Sequence, residues 1–150
     1  MDEMKVLYLI VERKTDAAIL HTLLDCRKYQ KVYHIPTGGY GNISSVARTI
    51  RLMRSPMDSN DKIIIAFDAD SFNEQIRNDR IATIRYLTNA DVDKRIGVFC
   101  FIPTIDQYLF HPKCNFKKDE MSELVDYLKE HLTELKEMDA IKDLQAFLDE

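Results

Sequence analysis

The chain has 150 residues, 45% of them hydrophobic and 31% charged, enough for one buried core with an ordinary solvated surface. Its net charge of -4 excludes a bulk electrostatic footprint for nucleic acid, so such a partner must be held locally or through a metal ion. Three scattered cysteines, Cys26, Cys100 and Cys114, give neither zinc-ligand spacing nor a disulfide framework.

That cysteine usage predicts a reducing, cytoplasmic setting. The opening Met-Asp-Glu-Met-Lys lacks a basic leader and a cleavage site, so no signal peptide is expected. No apolar run has the length of a membrane span, and no membrane partner is expected.

Lys5 to Val11 is a near-continuous run of β-formers and predicts a central strand. It ends at Glu12. Ala17, Ile19, Leu20, Leu23 and Leu24 then recur at helical spacing, with Thr15 or Asp16 as the expected N-cap. Asp16 reads equally as a cap and as an auxiliary acid beside Glu12. Lys31 to Ile35 predicts a short second strand. Pro36-Thr37-Gly38-Gly39-Tyr40-Gly41-Asn42 follows and holds three of the chain's four glycines. Such a loop allows positive φ, and its amides can face an anion ahead of a helix from Ile43 to about Arg54. The spacing is neither Walker A nor Gly-x-Gly-x-x-Gly, and a plain tight turn is the competing reading. Ile43, Val46, Ala47, Ile50 and Met53 form that helix's buried stripe. Arg48, Arg51 and Arg54 flank it, as a solvated face or as contacts for a phosphate backbone.

After a turn over Ser55 to Asp61 comes the most informative stretch, Lys62-Ile-Ile-Ile-Ala-Phe-Asp68-Ala-Asp70-Ser71. Ile63 to Phe67 predicts a strand buried on both faces, and it stops at two carboxylates spaced i, i+2. Hard oxygen ligands at a strand tip lie at the usual mouth of an open α/β sheet, where a divalent cation offsets their repulsion. Capping of the next helix is the bland alternative. Phe72 to Asn89 predicts a helix with Ile76, Ile81, Ile84 and Leu87 inward and Arg77, Arg80 and Arg85 outward. Arg95 or Ile96 to Ile102 is a fourth buried strand, ended by Pro103. Thr104 is the expected cap of a short helix from Ile105 to Phe110, with Asp106 in its first turn. A connector, His111 to Asn115, leads to helices from Asp119 onward. Their stripes are Met121, Leu124, Val125, Leu128 and Leu132, then Ile141, Leu144, Phe147 and Leu148, with Asp139 as the second cap. His21, His34, His111 and His131 show no ligand spacing and receive no role.

The order βαβαβαβ followed by helices predicts a Rossmann-like α/β domain, with a parallel sheet and helices on both faces. Residues 1–110 form the α/β domain, and 111–150 a helical extension packed on it. The two acid-tipped strands are central in sheet order 2-1-3-4 and therefore neighbours, ~4.8 Å apart. Glu12, Asp68 and Asp70 can then share Mg²⁺ or Mn²⁺ for phosphoryl chemistry.

These residues resemble a Toprim domain, whose pattern is a Glu ending the first strand and Asp-x-Asp after the third. Val11-Glu12-Arg13-Lys14-Thr15-Asp16-Ala17 is similar to the Val-Glu-Gly-x-Thr-Asp/Glu opening of the Toprim domains of OLD-type nucleases. Gly38-Gly39-Tyr40-Gly41-Asn42 resembles a Gly-rich segment of some of them. Phe101-Ile-Pro-Thr-Ile-Asp106-Gln-Tyr-Leu-Phe110 resembles a Pro-Glu-Ile-Glu-Ala-Trp-Leu segment. The resemblance implies Mg²⁺-dependent nucleic-acid phosphodiester chemistry, with DNA or RNA as partner. It implies Glu12 as general acid/base and also a metal ligand, Asp68 and Asp70 as ligands with a part in catalysis, and Asp16 and Asp106 as auxiliaries. Lys14, Arg48, Arg51, Gly38, Gly39, Gly41 and Asn42 become the expected phosphate contacts. Arg13 stands where the family has Gly, Thr104 and Asp106 replace two Glu, and no partner domain is attached. Those departures leave open a non-catalytic module that binds nucleic acid or a protein supplying the missing domains. Ile-Ala-Phe-Asp68-Ala-Asp70 also resembles the nucleophile motif of haloacid-dehalogenase-like phosphatases. That motif normally lies on a first strand, and here some sixty residues precede it.

Overall fold

A computed structural model of the chain describes residues 5–53, 60–102, 104–110 and 121–150. Several sequence expectations lie outside the described residues: the turn over 55–59, Arg54, Pro103, the connector 111–115, Asp119, and the side chains of Ile50, Arg51, Met53, Asp106 and Met121.

The elements run β1 (Val6–Val11), α1 (Lys14–Leu23), β2 (Lys31–Pro36), α2 (Tyr40–Met53), β3 (Lys62–Asp68), α3 (Glu74–Thr88), β4 (Ile96–Phe101), α4 (Ile105–Phe110), α5 (Met121–Glu130), α6 (Leu132–Lys136) and α7 (Asp139–Asp149). The four strands form one parallel sheet in the order β2-β1-β3-β4. Every residue of β1 and of β3 is buried, as unbroken apolar runs require of strands covered on both faces. β2 takes an edge, and none of its six residues is buried. Its last residue, Pro36, pairs with Val11, a position tolerable on an edge because proline has no N–H for the ladder.

Strand alternation sorts the core into two layers. Leu7, Leu9, Val11, Ile64 and Ala66 face α1, α5 and α7, together with Leu135 of α6 and Ile105 and Leu109 of α4. Val6, Tyr8, Ile10, Ile63, Ile65 and Phe67 face α2 and α3, through Ile43, Ala47 and Ile84. Each fully buried Leu, Ile, Val or Phe among them stabilises the fold by roughly 1.5–3 kcal/mol. The C-terminal helices thus share the core layer that β1 and β3 build on one face. The chain leaves β1 toward β2 on that face and returns to β3 through α2 on the other, so the switch point falls between β1 and β3.

Several boundaries differ from the sequence expectation. Helix α1 begins at Lys14 with Arg13 at the N-cap, not Thr15 or Asp16, and the Asp16 carboxylate accepts the Arg13 backbone N–H at 3.2 Å from the third helical position. Helix α2 begins at Tyr40, so Gly41 and Asn42 lie in its first turn and not in a loop. Helix α3 begins at Glu74, capped by Asn73, whose Oδ1 accepts the Gln75 and Ile76 amides; neither Asp68 nor Asp70 caps it. Ile76, expected inside, is 41% exposed. Met138, one residue before Asp139, holds the N-cap of α7. Among the described residues no helix is long and apolar enough to cross a membrane.

Candidate active site

Asp68 closes β3, and Glu12 follows the last residue of β1 on the neighbouring strand. The two acids meet directly. Glu12 Oε1 accepts the Asp68 backbone N–H at 3.2 Å. The Asp68 side chain lies at the bottom of the site, only 4% exposed. Its Oδ1 accepts the Ile105 amide at 2.8 Å, at the start of α4, and its Oδ2 receives Arg13 Nη2 at 3.4 Å. The Ala69 amide is held by the Phe101 carbonyl at 2.9 Å. Asp70 then adopts φ 56, a left-handed conformation that turns the chain out of the sheet and leaves its carboxylate exposed.

Two guanidiniums stand among the acids. Arg13 Nη2 lies 3.1 Å from Asp16 Oδ1, and its Nε donates to Asp16 Oδ2 at 3.4 Å, so one side chain bridges buried Asp16 and buried Asp68. Arg80, from α3, donates to the Asp68 carbonyl oxygen at 3.0 Å and pairs with Asp70 Oδ2 at 3.7 Å. Its guanidinium stacks over the Tyr40 ring at 4.6 Å, which in turn packs on Phe67. Sequence reasoning places Arg80 outward and gives it no role. No short spacing links it to Asp68, and only the packing of α3 against α2 and β4 brings it back.

The glycine-rich segment is pinned to the same corner. The Thr37 amide donates to the Val11 carbonyl at 2.8 Å and the Gly38 amide to the Glu12 carbonyl at 2.9 Å, with Gly38 at φ 86. The Gly39 amide meets Thr37 Oγ1 at 3.4 Å, and the Asn42 amide meets the Gly39 carbonyl at 3.2 Å. Three amides expected to face an anion therefore have internal acceptors. Lys14 is exposed at the first position of α1. Arg48 is exposed on α2, two helical turns, or about 10 Å, beyond Gly41. Arg51 belongs to the same helix and Asp106 to α4. The histidines hold a surprise for the sequence reading: His21 Nδ1 and His34 Nε2 lie 2.8 Å apart, joining α1 to β2, although their thirteen-residue separation follows no ligand pattern.

Electrostatics single out two acids. Burial pushes the Asp68 carboxyl up to about 7; the Asp16 and Glu12 charges add to this, while the Ile105 amide and Arg13 oppose it. Glu12 is also raised, first by burial and further by Asp70 and Asp16, against the Asp68 amide. Among the described residues no three His, Cys, Asp or Glu side chains are already grouped to hold a metal ion. The donor set nevertheless suits a hard divalent cation. Glu12, Asp16, Asp68 and Asp70 all offer carboxylate oxygens, and the guanidiniums of Arg13 and Arg80 offset half of their formal charge. Comparison of the chain with known protein families, with curated proteins and with solved structures gives no match.

Proposed function

We propose that this chain carries out metal-dependent phosphodiester chemistry on nucleic acid, as a small Toprim-type nuclease or related nucleotidyl-handling protein. The observation that carries this reading is the meeting of Glu12 and Asp68 at adjacent strand tips, with Glu12 Oε1 on the Asp68 amide, at the switch point of the sheet. Asp68 and Asp70 are the proposed ligands of Mg²⁺ or Mn²⁺, with Glu12 beside them. A bound divalent ion would supply charge neutralisation on the phosphoryl group and an activated oxygen nucleophile. The protein's part is positioning and proton transfer. The Ile105 amide orients the Asp68 carboxylate, and Arg80 fixes the Asp68 peptide and leans on Asp70. Glu12, its carboxyl raised by burial above the ordinary carboxylate range, is the proposed group that takes and returns a proton. Lys14 and Arg48 are exposed cations available to a phosphate backbone.

A second reading, a non-catalytic Toprim-like module binding nucleic acid or a protein partner, is favoured by Arg13, whose guanidinium already rests on Asp68. The place of the motif on the third strand, β3, and not on a first strand weighs against a haloacid-dehalogenase-like phosphatase with Asp68 as nucleophile. The test is cleavage of labelled single- and double-stranded DNA and RNA with Mg²⁺ or Mn²⁺, comparing the native chain with Asp68→Ala. Metal-dependent cutting lost in the variant is expected. Metal binding without cutting of any substrate would support the non-catalytic module.

A further inference from the structure

Arg13 follows Glu12 directly, where the chain turns from β1 into α1. Its backbone N–H and its Nε both reach Asp16 Oδ2, at 3.2 and 3.4 Å, and Nη2 reaches Asp16 Oδ1 at 3.1 Å. Three contacts therefore anchor the residue to Asp16. The same Nη2 reaches across to Asp68 Oδ2 at 3.4 Å, the single contact to that carboxylate and longer than its own 3.1 Å contact to Asp16. Both carboxylates are buried, whereas the arginine side chain is about a quarter exposed, so water competes poorly for the acids and better for the cation. Arg80 differs from it. Arg80 is fixed by the Asp68 carbonyl and by the Tyr40 ring, and it approaches the exposed Asp70, not the Asp68 carboxylate.

We infer that Arg13 is a built-in competitor of the metal ion at Asp68. This rests on the metal-dependent reading proposed above. In the metal-free chain the guanidinium supplies positive charge to the Asp68 carboxylate. A divalent cation binding there must displace the 3.4 Å contact. The two side-chain contacts to Asp16 then keep the displaced guanidinium close, so its charge continues to oppose the ion. The chain accordingly trades metal affinity for a site that is stable without metal. A carboxylate pair bridged by arginine is also a weaker trap for adventitious cations.

The experiment is a Mn²⁺ titration, by electron paramagnetic resonance or calorimetry, at fixed pH and ionic strength. Native chain, Arg13→Gln, Arg13→Lys, Asp68→Ala and the Arg13→Gln/Asp68→Ala double variant are compared, with folding checked by circular dichroism. Arg13→Gln is expected to bind Mn²⁺ about tenfold more tightly, equivalent to about 1.4 kcal/mol. Its metal-free melting temperature is expected to fall, and saturating Mn²⁺ to raise it by more than in the native chain. Asp68→Ala should abolish tight binding in both backgrounds. Should Arg13→Gln fail to fold, Arg13→Lys carries the test. Lysine keeps the charge but lacks the fork that spans two carboxylates, so its affinity should lie between the other two. Native binding that depends on Asp68 but is unchanged or weakened by Arg13→Gln overturns the competitor alone. Absence of binding in both chains, or binding that survives Asp68→Ala, overturns the metal-dependent reading with it.

Discussion

Asp68→Asn isolates the cost of burying a carboxylate at the end of β3. Folded, Asp68 titrates at about 7; unfolded, it returns to its ordinary 3.8. Between those values the unfolded chain releases a proton that the folded chain retains, so the native state loses stability as pH rises, by about 1.4 kcal/mol per pH unit. The loss begins near pH 4, reaches at most about 4 kcal/mol, and levels off above pH 7. Asparagine has nearly the same shape, and its carbonyl can still accept the Ile105 amide now at 2.8 Å from Oδ1. Only the long Arg13 contact is forfeited, at about 1 kcal/mol. The variant should therefore be less stable than the native chain at pH 4 and more stable at pH 8, by roughly 2–3 kcal/mol. Urea denaturation followed by circular dichroism, with a chelator present, measures this from pH 4 to 8. His21 is pushed below its usual 6.5 by burial and by His34, so it gives the opposite slope inside the same window. The difference between variant and native chain cancels that term. A difference that does not change with pH would refute the argument that burial governs Asp68.

Two further substitutions probe the packing that supports the site. At Gly97, in β4, an added Cβ would lie 2.7 Å from Phe99 Cε2 and 2.9 Å from Phe147 Cζ. Those rings are already in edge contact at 5.8 Å, so Gly97→Ala should cost about 1–3 kcal/mol by overpacking where α7 meets the sheet, read as a lower urea midpoint. A loss below about 0.5 kcal/mol would mean that the rings yield freely. Arg80→Ala removes the hydrogen bond to the Asp68 carbonyl and the stack on Tyr40 and should cost about 1–2 kcal/mol in the same assay. Arg80→Lys should recover less than half of that, because a lysine cannot reproduce a planar group that stacks and donates at once. Full recovery would reduce the role of Arg80 to its charge.

What was legible in the sequence follows from how much each feature depends on tertiary context. An apolar run such as Ile63 to Phe67 can be buried on both faces in few places, and it takes the middle of the sheet beside β1, whereas the run of β4, expected buried, lies at an edge and is partly exposed. The sheet order follows, and with it the neighbourhood of Glu12 and Asp68. Neither step requires the conformation of any side chain. Helix starts are less determined, because Tyr40 and Glu74 begin helices where local turn chemistry competes closely with the ladder. Ile76 carries the right periodicity, yet it stands in the first turn of α3 and is left exposed.

The long cations were the least legible, and they decide how the acids behave. Arginine places its charge several bonds from its Cα, so sequence position barely limits which carboxylate it meets. Arg80 reaches Asp68 across twelve residues because α3 lies against the sheet, not because of any spacing. In the sequence Arg13 reads as a turn residue that can pair with Glu12, and as bulk where the Toprim pattern has glycine. In the structure the same residue is the N-cap of α1 and a bridge between two buried acids. Remove its charge and the corner holds Glu12, Asp16 and Asp68 with Arg80 turned toward Asp70, an arrangement that burial would protonate before it would tolerate. The acids could therefore be kept at the strand tips in two ways, by a metal ion or by a guanidinium. Arg13 lets the corner fold with the second, while the carboxylate oxygens that the first would need remain at the strand tips.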